Sequence, residues 1–153
     1  MDILVVCTGN ICRSPMAEGL LTHRLLQRKI GPMQVASAGT HALVGYPAAP
    51  QAVRAMIAYG IDIAAHRARQ VDKRMIRQAR LVLVMEKMHQ EILRRFFAAA
   101  PKKVRLFSEF GGQGTPVDIS DPYGEPLEDY RRCARTLLSC IDNLAAFIAE
   151  EMR

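Results

Sequence analysis

At 153 residues the chain has the size of one ordinary domain, and half of it is apolar with a quarter charged, the profile of a globular protein. No apolar run approaches the ~20 residues that cross a bilayer, and the run from Ile3 to Val6 is too short, and lacks the basic start, to be a secretory leader. The expectation is therefore a cytoplasmic protein without membrane insertion. Its formal charge of +6 favours an anionic partner but does not choose among nucleic acid, a membrane surface and an anionic substrate.

In chain order, Met1 to Val6 ends in Ile-Leu-Val-Val, which suits a strand buried on both faces. Ser14 as N-cap and Pro15 in the first turn predict a helix that runs through Leu21, Leu25 and Leu26 and stops by Gly31-Pro32. Gln34 to Ala38 reads as a second strand closed by Gly39, followed by a loop from His41 to Ala49. Helices are expected at 50–59 and 72–79, a central strand at 81–85, a helix at 87–97 and a fourth strand at 104–107. Residues 111–125 form a Gly/Pro-rich loop, and a long amphipathic helix fills 127–150. Strands alternating with helices predict an α/β fold of three layers, with a four-stranded parallel sheet flanked by helices and the whole of 1–153 in one domain. In such sheets ligands bind beyond the carboxyl ends of the strands, so Cys7, directly after the first strand, should lie at the site.

Four cysteines, at 7, 12, 133 and 140, are too few for a disulfide scaffold and lack the spacing of a metal site, so no metal and no cofactor are expected. The chemistry concentrates in Cys7-Thr8-Gly9-Asn10-Ile11-Cys12-Arg13-Ser14. At a strand-loop-helix junction, backbone N–H groups and the positive end of the following helix cradle an anion. Gly9 is expected to ease the tight turn, and Asn10 to tolerate a left-handed backbone. Arg13 supplies a planar fork for two phosphate oxygens. A helix N-terminus and a nearby arginine favour a thiolate, a nucleophile that Ser14 can steady with a hydrogen bond. Attack on a phosphate ester also needs an acid to protonate the leaving oxygen, and the long loop offers Asp118 and Asp121. Asp121-Pro122-Tyr123 is the better candidate, since Pro122 stiffens the loop and Tyr123 can wall a pocket for an aromatic ring. Cys133 and Cys140 share one helix face, which reads as core, as does the Leu137 to Ile148 stripe. His23, His41 and His89 read as surface or helix residues, and the basic run from Arg67 to Arg80 as a solvated face that could attract acidic phosphopeptides.

These residues resemble the low-molecular-weight protein tyrosine phosphatases, bacterial branch. The likeness rests on Val5-Val6-Cys7-x-Gly9-Asn10-Ile11-Cys12-Arg13-Ser14-Pro15-x-Ala17-Glu18, Ser37-Ala38-Gly39, His66-x-Ala68-Arg69-Gln70, Met85-Glu86 and Asp121-Pro122-Tyr123. The resemblance implies a phosphocysteine on Cys7, phosphoryl clamping by Arg13, and Asp121 as general acid and then base. It implies substrate binding by Thr8, Gly9, Asn10, Ile11, Cys12, Ser14 and Tyr123, with Ser37 and His66 supporting the strained loop at Asn10. Cys12 would form a reversible disulfide with Cys7. The implied partner is a phosphotyrosine protein, such as a bacterial tyrosine kinase of capsule or exopolysaccharide synthesis. Gly124 stands where eukaryotic members carry a second tyrosine. Two alternatives stay open: an arsenate reductase of the same fold, and a non-catalytic anion-binding module. Nucleic acid is disfavoured because no aromatic residues interleave with the basic ones.

Overall fold

The run Ile-Leu-Val-Val-Cys forms β1 (Ile3–Cys7), buried along its whole length, as a central parallel strand must be. In this computed structural model, which describes residues 1–152, β1 lies between β2 (Val35–Gly39) and β3 (Leu81–Val84). Beyond β3 lies β4 (Val104–Leu106), and all pairings are parallel. The last residue of the expected domain, Arg153, lies outside the described residues.

Alternation along the strands sorts the core into two layers. Ile3, Val5, Leu81 and Leu83 pack with α1 (Arg13–Gln27), α2 (Pro50–Ile57) and α5 (Leu127–Glu151). Leu4, Val6, Val82 and Val84 pack with Ile76 of α3 (Lys73–Gln78) and Leu93 of α4 (Lys87–Phe96). The expected three-layer α/β fold is thus the observed one, with element ends shifted by a few residues. Two 3-10 turns, at Pro101–Lys103 and Phe107–Phe110, are too short to show a period in sequence. No helix among the described residues is long and apolar enough to cross a membrane.

One expected cap is corrected. Ser14 lies inside α1, which begins at Arg13 after Cys12 without a side-chain cap, because the Ser14 hydroxyl is engaged by Cys7 and Asn10 instead. Asp72 does cap α3, accepting from the Met75 N–H at 2.8 Å. The connection after β1 leads to β2 on one side, while that after β3 leads to β4 on the other. The chain therefore parts beyond the carboxyl ends of β1 and β3, where this class of sheet binds its ligands. Cys7 and Met85-Glu86 border that crevice.

Candidate active site

Beyond β1 the backbone turns around Cys7 with every carbonyl facing outward into a partner. The Cys7, Thr8 and Gly9 carbonyls accept from the N–H groups of Thr40, His41 and Leu43, and the Ile11 and Cys12 carbonyls from those of Ala49 and Met16. The Asn10 carbonyl meets His66 Nε2 at 2.7 Å. Among the described hydrogen bonds, the N–H groups of Thr8 to Arg13 donate to nothing. Such a row of free donors is an anion site.

Asn10 holds the turn. Its φ of 59° is left-handed, and its side chain is fully used. Nδ2 donates to Ser14 Oγ at 2.8 Å and Ser37 Oγ at 3.0 Å, while Oδ1 accepts the Arg69 N–H at 2.9 Å. Ser37 in turn donates to Glu18 at 2.5 Å. Because Ser14 Oγ accepts from Asn10, its own proton is left for Cys7 Sγ, 3.0 Å away. The relay therefore points hydrogen-bond donation at the sulfur. Gly9 does not serve as expected: its φ is not positive, and a Cβ there would meet only Ile11, at 3.8 Å. It lines the pocket, where the missing side chain leaves room. The glycine that permits the close approach is Gly39, whose Cβ would lie 2.4 Å from the Thr8 carbonyl.

Arg13 is 1% exposed. Its Nη1 donates to Glu86 Oε2 at 2.7 Å and to the Ile119 carbonyl at 2.9 Å. Nη2 lies 3.5 Å from Asp121 Oδ2, and Nε has no partner. Anchored at Nη1, the guanidinium offers its Nε–Nη2 edge, the two-donor fork that matches a phosphoryl group. Burial opposes its charge, but Cys7, Glu86 and Asp121 outweigh burial and hold its pKa above the ordinary value.

His89, read as a surface or helix residue, lies on α4 and is completely buried. Its Nδ1 accepts the Glu86 N–H at 3.1 Å, which assigns the proton to Nε2 and makes it the donor to Thr8 Oγ1 at 2.9 Å. Burial, helped by the Arg13 charge, pushes its pKa from 6.5 down to about 4, so the ring is neutral near pH 7. Glu86 and His89 thereby join the Thr8 end of the loop to the arginine. A Glu-x-x-His pair opening a helix is a reciprocal cap, the one sequence signal that marks them.

The acid loop is tied down by Ile119, whose N–H donates to the Met85 carbonyl at 3.0 Å while its own carbonyl holds Arg13. Asp121 follows, 43% exposed, accepting the Tyr123 N–H at 3.1 Å. Gly124, at φ 78°, closes a turn in which the Glu125 N–H reaches the Pro122 carbonyl. Asp118 instead accepts the Lys87 N–H at the start of α4. A pocket of about 220 Å³ brings together Cys7, Thr8, Gly9, Ile11, Cys12, Asp121 and Tyr123. It also includes Leu43 and His41, which is exposed, in line with its reading as a surface or helix residue, and yet stands at the pocket. Asn10, Ser14, Ser37 and His66 stand behind it as contacts of the loop. Among the described residues no group of side chains could hold a metal ion.

Cys12 is a buried free thiol, its pKa pushed up to about 12 chiefly by burial, with the Tyr130 hydroxyl 3.5 Å from its sulfur. Cys133 and Cys140 are buried on α5, as expected of core residues, and burial raises both.

This fold recurs in known proteins. A sequence model described as low molecular weight phosphotyrosine protein phosphatase matches residues 2–153. The chain is 41% identical to the probable low molecular weight protein-tyrosine-phosphatase EpsP of Ralstonia nicotianae, over 92% of this chain and 90% of that one. It resembles the crystal structure of a low molecular weight protein tyrosine phosphatase from T. tengcongensis with a TM-score of 0.88, at 39% identity over 95% and 98% of the two chains. It also resembles the YwlE arginine phosphatase, in a mutant with a phosphorylated active-site serine in place of cysteine, with a TM-score of 0.90 at 32% identity over 100% and 99%. With the match running over nearly its whole length, the chain belongs to the low molecular weight phosphotyrosine protein phosphatase family.

Proposed function

We propose that the protein hydrolyses phosphotyrosine in proteins through a phosphocysteine intermediate, with residues 1–153 acting as one catalytic domain. The observation that carries the reading is the row of unpartnered N–H groups from Thr8 to Arg13 beside the unpartnered Nε of a buried Arg13. Six backbone donors and a guanidinium edge around one sulfur suit the equatorial oxygens of a phosphoryl group in transfer. A binding module would have no use for a cysteine at the centre.

In the first step Cys7 Sγ attacks phosphorus while the bond to the phenolic oxygen breaks, and Asp121 in its acid form gives that oxygen a proton. In the second, the Asp121 carboxylate takes a proton from water, whose oxygen attacks phosphorus. The S–P bond breaks, and inorganic phosphate leaves. Ser14 stabilises the sulfur anion at the beginning and end of the cycle. Thr8, Gly9, Asn10, Ile11, Cys12 and Ser14 bind the phosphoryl end, and Tyr123 with Ile11 and Leu43 flanks the ring. An oxidised Cys7 would be caught by Cys12 in a reversible disulfide.

The YwlE relative makes phosphoarginine a second reading. Its leaving group is a guanidine, best met by carboxylates and carbonyls, whereas this pocket presents Ile11, Leu43 and Tyr123 around a single carboxylate, Asp121. That lining supports the aryl substrate. Cys133 and Cys140 are buried on α5 and neither lines the Cys7 pocket, which counts against a thiol relay and hence against arsenate reduction. Among phosphotyrosine proteins, a tyrosine kinase of capsule or exopolysaccharide synthesis is the partner that the resemblance to the bacterial branch supports.

The test is metal-free hydrolysis of an aryl phosphate, then of matched phosphotyrosine and phosphoarginine peptides. We expect the phosphotyrosine peptide to be preferred and Cys7→Ser to stop turnover of both. A higher kcat/KM on phosphoarginine would replace the reading by the second one.

A further inference from the structure

We propose that the exposed surface from Arg67 to Arg77 is a docking strip for an acidic segment of the substrate protein, engaged while its phosphotyrosine occupies the Cys7 pocket. The proposal rests on the phosphotyrosine reading and names a recognition element outside the pocket.

Between residues 67 and 77 the chain carries five cations and one carboxylate, Asp72. That carboxylate is occupied in capping α3. Elsewhere many cations have partners: Arg94 and Arg95 share Glu91, Arg105 meets Glu109, Arg132 meets Asp129 and Arg135 meets Glu128, while the cations without an ion pair among the described residues, such as Lys29, Arg54 and Arg131, are scattered along the chain. Among the described residues, Arg67, Arg69, Lys73, Arg74 and Arg77 form no ion pair; Arg67 and the half-buried Arg69 donate to backbone carbonyls, which leave their charges uncompensated, and Lys73, Arg74 and Arg77 are exposed. Much of the net charge of +6 is thus concentrated on one strip.

Local stability does not account for it. Lys73 and Arg74 occupy the first turn of α3, where the helix dipole favours carboxylates over cations. Arg77, at the other end, suits the helix; the first two do not.

The strip is also fastened to the pocket rim. The Ala68 carbonyl accepts from the Gly45 N–H and the Ala68 N–H donates to the Tyr46 carbonyl, both at 2.8 Å. Gln70 spans the same loop, donating to the Thr40 carbonyl at 2.7 Å and accepting from the Ala42 N–H at 2.9 Å. That loop gives His41 and Leu43 to the pocket. Leu43, Val44 and Tyr46 of that loop are exposed and offer apolar surface to a peptide that leaves the pocket toward the cations. Asp and Glu are the side chains that such an uncompensated strip selects.

Each exposed ion pair is worth only about 1.4- to 5-fold in binding, so two or three engaged pairs give about tenfold. Three phosphotyrosine peptides, with a Glu/Asp run before the tyrosine, after it, or nowhere, would be compared for kcat/KM at low salt. One acidic peptide should exceed the neutral one by about tenfold, mainly through KM, and the advantage should vanish in ~1 M salt, where the screening length is about 3 Å. Lys73→Glu/Arg74→Glu places carboxylates where the α3 dipole favours them, so the variant should fold. It should lose the preference and leave hydrolysis of a small aryl phosphate unchanged. Equal kcat/KM for all three peptides, or a preference that survives in the double variant, overturns the strip alone. Turnover of the aryl phosphate with none of the three peptides hydrolysed overturns the phosphotyrosine reading beneath it.

Discussion

The Cys7 loop is held at every carbonyl from Cys7 to Cys12, and the side chain of Asn10 behind it is completely buried. The 120–125 stretch that carries Asp121 is exposed at every residue but Pro122 and hangs from Ile119. In the proposed mechanism the Cys7 end is preorganised, so that donors already face the place where charge develops. The acid end must admit the substrate, release phenol and let water in, and a lightly held, half-exposed carboxylate suits those exchanges. Damage to the first region should therefore cost stability and rate together, while damage to the second should cost rate alone.

The largest effect is expected from Cys7→Ser, because removing a covalent nucleophile removes the pathway itself. Turnover of p-nitrophenyl phosphate should fall by about 10⁴-fold or more with the circular dichroism spectrum retained. Residual activity above a thousandth of wild type would mean that another group attacks phosphorus.

Asp121→Ala comes next and probes the other region. For phenyl phosphate, whose leaving oxygen needs a proton, kcat/KM, which reports the first step without the hydrolysis both esters share, should drop about 10²- to 10³-fold, and clearly less for p-nitrophenyl phosphate. The urea midpoint should stay where it was, since the side chain is 43% exposed and lies outside the core. Equal losses on both esters would remove Asp121 from the acid role, and a shifted midpoint would erase the contrast between the regions.

Asn10→Ala should show the opposite pattern, a loss of stability together with rate. It deletes three side-chain hydrogen bonds and places Ala in a left-handed conformation. The combined cost is about 3 kcal/mol in chemical unfolding. Unchanged stability would show that the loop does not depend on this residue.

The smallest effect belongs to His89 and depends on pH. Its pKa in the fold, about 4, lies below its ordinary 6.5, so between those values the unfolded chain binds more protons. The stability His89 confers is present above pH 6.5 and is lost as pH falls toward 4. Between pH 7 and 5 this amounts to about 2 kcal/mol. His89→Gln keeps a donor for Thr8 without titrating, so its stability should decline less over that range. Parallel curves for the two proteins would exclude the assigned buried, neutral ring.

The contrast between regions also explains which parts were legible in sequence. Cys7, Arg13 and Asn10 lie within one short segment, and Asp121 is marked by its Pro-Tyr neighbours, so local chemistry was enough to select them. Glu86 and His89 carry an equally direct link to Thr8 and Arg13, yet they sit on the far side of β3. Nothing near them in sequence says that a helical histidine is buried against a loop some eighty positions earlier. The misreadings of Ser14 and Gly9 have the same origin. A serine before proline has a strong local preference for capping, but here a buried sulfur and amide compete for its hydroxyl. A glycine in a tight loop suggests a positive φ, yet in this loop Asn10 takes it and Gly9 leaves space for substrate.

By itself, the sequence determined the alternating elements, the two-sided burial of β1, the strand-loop-helix junction at Cys7 and the residue types that chemistry on a phosphate ester requires. Those follow from periodicity, cap and turn preferences and side-chain chemistry, all of which act within a few residues. The tertiary structure alone decided the direction of each hydrogen bond into the sulfur, the anchoring of Arg13 by Glu86 and Ile119, and the close pass at Gly39. It also placed the basic strip beside the pocket rim. These depend on segments far apart in the chain meeting at the parting of β1 and β3, where geometry selects which polar atoms find partners and which stay free.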